Sequence, residues 1–254
     1  VMPNRLKIKI DFGKDRITAN DKIVSGDLDV KWLHGAVAKN LNADISMQLV
    51  SSTTSFPRYE NFIFDDPGRS FNTEDVALFK GKINENGHAD IRGQINTESN
   101  APGALTANFK VKVFEAGGAF SVDRFSLPYY PYESFVGVKL PKGDLARNML
   151  LTDTNHVVEI ATLDPYGKPT SGRKIELQVY KLDWRWWWER SNDDISAYLD
   201  NESRQAVYRE QVTSVNGKAR SKFRINYPEW GRFYVRAVDL ESNHSTGKII
   251  FIDW

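Results

Sequence analysis

Apolar and polar residues alternate along several stretches of the chain, which is the pattern of a β-strand with one buried and one exposed face. The clearest stretch is residues 5–12 (RLKIKIDF), in which every second residue from Leu6 to Phe12 is apolar. The same pattern, punctuated by turn-forming residues, predicts further strands at residues 23–33, 43–50, 76–83, 89–95, 105–114 and 120–125. Residues 51–72 show no clear period, so we expect an irregular loop with short strand pieces there.

The second half of the chain repeats this layout. It predicts strands at residues 135–140, 157–163, 174–182, 206–212, 218–225, 231–239 and 248–252. At an offset of about 130 residues, three blocks of sequence align, which is the mark of an internal repeat. Residues 45–49 (ISMQL) fall on 175–179 (IELQV), and residues 86–89 (NGHA) fall on 216–219 (NGKA). The third block pairs residues 6–13 with 136–143. Duplication of one all-strand domain explains the shared register.

Each half has about seven short strands joined by turns, which is typical of an immunoglobulin-like β-sandwich. The predicted fold class is therefore all-β, with two tandem antiparallel β-sandwiches at residues 1–127 and 133–254. The side chains expected to supply the second core include Ile175, Leu177, Val179, Phe233 and Val235. A closed barrel is the structural alternative. No βαβ rhythm is present, so a nucleotide-binding α/β fold is disfavoured.

Between the two predicted sandwiches lies a short stretch rich in proline and tyrosine, residues 126–133. Pro128 and Pro131 each lack an N–H donor, so we expect neither to continue the interior of a sheet. The stretch is predicted to be a stiff linker that fixes the angle between the domains. Its bulky side chains are candidate interface residues: Tyr129, Tyr130 and Tyr132.

Composition narrows the classes of partner. The chain has 34 basic and 33 acidic residues, so its net charge of +1 gives no reason to expect nucleic acid or an acidic membrane as a partner. No apolar run approaches the roughly 20 residues that a membrane-spanning helix needs. Cysteine is absent, which excludes disulfides and thiolate metal sites from this chain. Because no apolar run is long enough, we predict no membrane span in this chain.

Ionisable residues show no catalytic pattern. The four histidines are isolated in sequence and are expected at the surface or in turns, although a metal site or general base assembled in space is the alternative: His34, His88, His156 and His244. Two acidic pairs, at residues 65–66 and 193–194, lie in loop-like sequence where aspartate favours turns. Such pairs can also bind calcium or serve glycosidases. We predict solvated loops, no metal, no cofactor and no enzymatic activity.

A dense tryptophan cluster follows the predicted strand at residues 174–182. It holds four of the seven tryptophans: Trp184, Trp186, Trp187 and Trp188. Exposed tryptophans could stack on sugar rings or anchor a protein interface. Adjacent tryptophans place large apolar surface on both faces of any strand, so one face can pack within its own domain while the other needs a partner. We treat all four as interface candidates, with packing inside the protein as the preferred interpretation.

The order of several motifs resembles that of a known family. In the second half these motifs are FVGVK (135–139), DPYGKP (164–169), LDWRWWW (182–188) and YPEWGRFY (227–234). In the first half they are WLHGAVA (32–38) and VFEAGG (113–118). Both halves are similar to consecutive macroglobulin domains of the bacterial alpha-2-macroglobulin family, and the resemblance covers nearly the whole chain.

This resemblance implies a non-catalytic scaffold fragment from the interior of a large proteinase-trapping protein, that is, an endopeptidase inhibitor. It implies a periplasmic or extracellular, cell-surface location, which a lipid anchor of the full-length protein would be consistent with, and neighbouring domains of the same polypeptide as partners. Target proteinases would be met through the full-length protein. The thioester of the family needs a CxEQ motif, and this chain has no cysteine to take that role. The alternative is a surface carbohydrate- or protein-binding module that uses the cluster from Trp184 to Trp188.

Overall fold

The structure is a computed structural model that describes residues 5–95, 100–182 and 206–254. Contacts divide these residues into two compact units. The first unit contains residues 5–52, 72–95 and 105–131, and the second contains Thr53–Phe71, Asn100–Ala104 and the described part of Tyr132–Trp254. All regular elements of the described ranges are strands, and none of these ranges forms a helix long and apolar enough to cross a membrane.

The first unit consists of two sheets. Its strands are β1 (Leu6–Asp11), β2 (Ile17–Thr18), β3 (Ile23–Trp32), β4 (Asn42–Ser51), β5 (Glu74–Lys82), β6 (His88–Gln94), β7 (Leu105–Phe114) and β8 (Phe120–Tyr130). One sheet has the order β1-β3-β6 and the other has the order β2-β8-β7-β4-β5. All neighbouring strands are antiparallel except the two-residue pairing of β2 with β8. The core side chains of β4 are every second residue, as alternation predicts: Ala43, Ile45, Met47 and Leu49.

The second unit repeats this topology. Its strands are β9 (Phe135–Lys139), β10 (Leu150–Leu151), β11 (His156–Leu163), β12 (Lys174–Leu182), β13 (Tyr208–Thr213), β14 (Lys218–Phe223), β15 (Gly231–Asp239) and β16 (Ser245–Asp253). The sheets have the orders β9-β11-β14 and β10-β16-β15-β12-β13. Adding eight to each strand number of the first unit reproduces both orders. The two units therefore share one connectivity, in agreement with the sequence repeat.

The predicted fold class, two tandem all-β sandwiches, is confirmed. The five residues expected to supply the second core are each at most 1% exposed: Ile175, Leu177, Val179, Phe233 and Val235. They join residues of β9, β11 and β14 in one hydrophobic cluster. This core lies between the two sheets of the second unit, because alternate residues of each strand face the opposing sheet.

The predicted start of the linker at residue 126 is wrong, because the first sheet continues through Pro128. Strand β8 extends to Tyr130, and Pro128 lies opposite Thr106 of β7. On the other side of β8, the short strand β2 pairs only with Tyr129 and Tyr130. Pro128 therefore lies where one edge of β8 is unpaired, and an edge position tolerates the missing N–H donor.

Candidate functional site

The segment Thr53–Phe71 lacks regular strands but is built into the second unit. Ile63 pairs with Val138 of β9, with an N–O distance of 2.8 Å from Ile63 N to Val138 O and of 2.9 Å in the reverse bond. This bridge adds one residue to the open edge of the sheet β9-β11-β14. We call Thr53–Phe71 the anchored segment.

Aromatic rings of the anchored segment cover β9. Phe56 and Phe64 meet edge to face with ring centroids 4.8 Å apart, and Phe56 lies 5.9 Å from Phe135. All three side chains are at most 4% exposed. Gly137 permits this approach, since a Cβ atom at that position would lie 2.4 Å from the Phe64 ring. The glycine of the FVGVK motif thus makes room for a ring from a distant part of the chain.

Asp66 anchors the segment to β15 and β16. Its side chain is fully buried and accepts hydrogen bonds from four donors. Oδ1 accepts from the Tyr234 hydroxyl and from the Gly68 N–H, at 2.7 Å for the latter. Oδ2 accepts from Nε of Arg236 at 2.9 Å and from the Ser245 hydroxyl. We call these five residues the Asp66 network.

The electrostatics of the network favour an ionised carboxylate. Burial alone would raise the pKa of Asp66, but the charge of Arg236 and the hydrogen bonds from Ser245, Tyr234 and Gly68 outweigh burial and lower that pKa. Burial, reinforced by the negative charge of Asp66, raises the pKa of Tyr234 well above its usual value. Asp66 is therefore charged and Tyr234 is a neutral donor at neutral pH.

Further hydrogen bonds hold Asp65, the residue before Asp66. The Thr54 hydroxyl donates to Asp65 Oδ1 at 2.5 Å and accepts from the Ala104 N–H at 2.6 Å. The backbone carbonyl of Asp65 accepts from the Gly247 N–H of β16 at 3.1 Å. Burial raises the pKa of Asp65, because the bonds from Thr54 offset it only in part. Backbone and side-chain contacts thus act together along this part of the segment.

Arg69, near the end of the segment, links it to the residues that precede β9. Its Nη1 donates to the Tyr132 hydroxyl at 2.6 Å, and its Nε lies 3.8 Å from Asp66 Oδ2. The Tyr132 ring packs at 4.8 Å from the buried ring of His244, whose Nδ1 accepts the Val136 N–H at 2.9 Å. Complete burial, followed by the charge of Arg69, lowers the pKa of His244 to about 3. His244 is therefore neutral.

The chemistry of this arrangement is structural. A carboxylate offers about four lone-pair positions, and all four of Asp66 are taken by donors, so none remains to accept a proton from a substrate. The sequence-based interpretation of Asp65 and Asp66 as a solvated loop is wrong for Asp66. Its three side-chain partners lie 168 to 179 residues further along the chain, a separation that local sequence signals do not reveal.

A second group of ionisable side chains lies on the exposed face of the first unit. His88 Nδ1 is 3.2 Å from Asp29 Oδ1, and His88 Nε2 is 3.2 Å from Asp90 Oδ1 and 3.8 Å from Asp27 Oδ1. Hydrogen bonds to Asp29 and Asp90 raise the pKa of His88. One ligand atom from each of Asp27, His88 and Asp90 lies within 4.8 Å of the others, a spacing compatible with a cation. The ion pairs to His88 account for the clustering without one.

Sequence reasoning did not bring these four residues together. Strand register does: Asp27 lies opposite Asp90, and Asp29 lies opposite His88 on the neighbouring strand. The signal in the sequence is the i, i+2 spacing of Asp27 and Asp29, and of His88 and Asp90. This spacing places the two residues of each strand on the same face. Pairing β3 with β6 was the missing step.

Three of the seven predicted interface residues lie within the described residues. Tyr129 and Tyr132 are buried, with the Tyr132 hydroxyl donating to the Ala101 carbonyl at 2.5 Å. Tyr130 is half-buried beneath the Arg16 guanidinium, 5.5 Å from its ring centroid. The remaining four candidates lie outside the described residues: Trp184, Trp186, Trp187 and Trp188. An interface role for all seven stays a prediction.

Two family models match the chain, one to each half. The bacterial alpha-2-macroglobulin MG5 domain matches residues 4–131, and bacterial macroglobulin domain 6 matches residues 137–254. A search of curated proteins found no match. The first model alone covers half of the chain.

Solved structures of similar fold come from much longer chains. Trypsin-activated alpha-2-macroglobulin from Escherichia coli aligns with 13% identity and a TM-score of 0.63, over 100% of this chain and 17% of its own. The native conformation of the Escherichia coli protein gives 13% identity and 0.61, over 99% and 16%. Salmonella alpha-2-macroglobulin reacted with methylamine gives 13% and 0.59, over 100% and 17%. At this identity the likeness shows the fold alone, but the family models match both halves in order. The chain belongs to the bacterial alpha-2-macroglobulin family, as two consecutive macroglobulin domains.

Proposed function

We propose that this chain is a non-catalytic scaffold portion of a proteinase-trapping protein of the alpha-2-macroglobulin kind. The observation that carries the proposal is the order of the two family matches, MG5 at residues 4–131 followed by domain 6 at 137–254. The proposal assigns one sandwich to residues 1–127 and one to residues 133–254, with the anchored segment of the first range packed into the second unit. Since the chain spans only 17% and 16% of the two Escherichia coli chains, trapping is proposed for the full-length protein.

The Asp66 network supports a mechanical role. A buried carboxylate with four donors, one of them an arginine, resists partial opening, because separating the two charges would leave one of them buried without its partner. The anchored segment is thereby held to β15 by an ion pair and a hydrogen bond and to β16 by hydrogen bonds, in addition to the aromatic contacts with β9. In this proposal the second unit keeps its shape when neighbouring domains of the same polypeptide rearrange.

The proposed setting is periplasmic or at the cell surface, with target proteinases engaged by the full-length protein. A lipid anchor is proposed only for the full-length protein. The proposed partners do not include nucleic acid. The near-neutral net charge of +1 supports that exclusion.

The test uses the full-length protein that contains this chain. It is incubated with trypsin, and the residual trypsin is assayed on casein and on a small chromogenic peptide. A trap excludes large substrates sterically, so casein hydrolysis should fall while peptide hydrolysis persists. The 254-residue chain alone serves as the control and should change neither activity. Unchanged casein hydrolysis with the full-length protein, or inhibition by the isolated chain, would contradict the proposal.

A further inference from the structure

Strand β14 carries a row of cations at every second position. The side chains of Lys218, Arg220 and Lys222 are all exposed, and Arg224 continues the row just past the strand. Because a strand rises about 3.3 Å per residue, neighbouring cations in the row are about 6–7 Å apart. The intervening residues face the interior, with Ser221 and Phe223 buried. The row is therefore one straight, exposed line of positive charge.

This line follows the open edge of a sheet. In the order β9-β11-β14, strand β14 is terminal. Beyond the bridge between Val215 and Lys218, the outer edge of β14 makes no strand pairing with any residue of the described ranges. Such an edge presents backbone N–H and C=O groups that can bond to another strand.

The positive charge of β14 is poorly compensated. Glu159 of β11 lies opposite Arg220, but it already pairs with Lys139, at 3.2 Å between Nζ and Oε1. Asp153 lies 3.4 Å from the Arg224 guanidinium at the end of the row. Within the described part of the chain, Lys218, Arg220 and Lys222 have no carboxylate at ion-pair distance.

Another edge strand offers a useful contrast. Strand β1 also carries alternating cations, Lys7 and Lys9, but Asp29 of β3 lies opposite Lys9. Asp11 then ends the alternation with a negative charge. The neighbouring strand β3 places Lys31 opposite Lys7, so β1 is a second cationic edge strand that differs from β14 in the acidic residues at one end.

An aromatic groove runs beside the β14 row. The anchored segment supplies Arg58, Tyr59 and Phe62 to one side, and β14 supplies Lys218 and Arg220 to the other. Between them lie residues of β11, including Glu159. Tyr59 and Phe62 are half-buried and stack edge to face, with centroids 5.6 Å apart. The groove lies over β11, on the side of β14 away from its open edge, so the cations and backbone groups of that edge, and not the groove, are what an added strand would meet.

We propose that the outer edge of β14 binds an extended acidic polypeptide segment as an added strand. Acidic residues at every second position of such a segment repeat at the same 6–7 Å as the cations. The segment's backbone would bond to the open edge, and its carboxylates would pair with Lys218, Arg220 and Lys222. A second copy of β14 does not fit, because its cations would lie against these cations. This proposal is independent of proteinase trapping.

The test uses the 254-residue chain and a fluorescein-labelled peptide, acetyl-Thr-Glu-Val-Glu-Thr-Glu-Val-Glu-Thr-amide, in fluorescence anisotropy at low salt. Amide hydrogen exchange then reports on the edge itself. Binding of the peptide should slow exchange at outward amides of β14. The double variant Arg220→Glu and Lys222→Glu should weaken binding about tenfold, since it turns two attractive pairs into repulsive ones.

Controls separate strand addition from general charge attraction. The matched variant Lys7→Glu and Lys9→Glu removes the same charge from the other edge strand and should change affinity less than twofold. A peptide of the same composition with its glutamates in one block should bind more weakly, as should polyphosphate. The proposal is overturned by no binding at 1 mM peptide, by equal binding of the block peptide or polyphosphate, or by binding that leaves β14 amides unprotected.

Discussion

Replacing Asp66 with asparagine removes the central charge of the Asp66 network and almost preserves side-chain size. Each carboxylate oxygen accepts from two donors. Asparagine has one oxygen and one NH2 group. Its NH2 group would replace one carboxylate oxygen and point at the two donors that this oxygen had accepted from. Arg236, only 20% exposed, would also lose its counter-charge. Breaking a buried ion pair from one side costs about 3–5 kcal/mol, and we expect Asp66→Asn to lower the unfolding free energy of the second unit by this amount.

Urea unfolding measures the loss. In a Trp32→Phe background the remaining tryptophans all lie in the second half of the sequence, so their fluorescence reports on that half. With a slope of about 2 kcal/mol per molar urea, the expected cost moves the midpoint down by about 2 M. The double variant Asp66→Asn with Arg236→Met should be more stable than Asp66→Asn alone, because no unpaired guanidinium remains.

Asp153→Asn is the matched control. Asp153 pairs with Arg224 at 3.4 Å, but its side chain is 53% exposed. An exposed pair of this kind contributes little, so we expect a change within about 0.5 kcal/mol. If Asp66→Asn is no more destabilising than Asp153→Asn, the Asp66 network does not stabilise the second unit and the reasoning fails.

Three further changes test other parts of the structure. The pKa of His244 is near 6.5 in the unfolded chain and about 3 in the folded protein. The unfolded chain therefore takes up the proton first as the pH drops. The unfolding free energy measured in urea should fall by about 2–3 kcal/mol between pH 7 and 4.5. Gly137→Ala should cost about 1–3 kcal/mol in thermal unfolding by pressing on the Phe64 ring. An NMR titration should place the pKa of His88 above 6.5, and Asp29→Asn should lower it. Protonated His88 stabilises the first unit, so this contribution is lost as pH rises through that pKa.

Each of the three has its own control and its own refutation. His244→Asn offers an oxygen to the Val136 N–H and should flatten the pH dependence; an equally steep fall would implicate other groups. Gly117→Ala, where an added Cβ meets nothing within 4 Å, should be nearly neutral. A cost as large as that of Gly137→Ala would contradict the packing argument. For His88, an unshifted pKa at low salt would rule out the cross-strand ion pairs.

Local alternation sufficed to predict most strands. The apolar positions of residues 45–49 and 175–179 fall in register at the repeat offset, and both sets are buried in the observed cores. Whether a segment forms a strand depends on the alternation of its apolar and polar side chains, which can be read from consecutive residues. The edge position of Pro128 was not predictable in the same way, because it depends on where the two-residue strand β2 ends.

The candidate site could not be predicted from the sequence, for a different reason. A Pro- and Asp-containing stretch without period describes a solvated loop and an anchored segment equally well. What distinguishes them for Asp66 is the presence of Tyr234 and Arg236, neighbours on β15 that sequence separates from it by 168 and 170 residues. Gly137 was the nearest local signal, since glycine within a strand often marks close approach of another group.

Hydrogen exchange at the anchored segment tests the central claim most directly, namely that Thr53–Phe71 is a fixed part of the second unit. The informative amides are those of Ile63, bonded to Val138 O at 2.8 Å, and Asp66, bonded to Pro102 O at 2.8 Å. We predict that both exchange as slowly as Val235 in the core of β15, because all three open only when the unit opens. Exchange of Ile63 and Asp66 at the rate of an exposed loop, with Val235 still protected, would contradict the account.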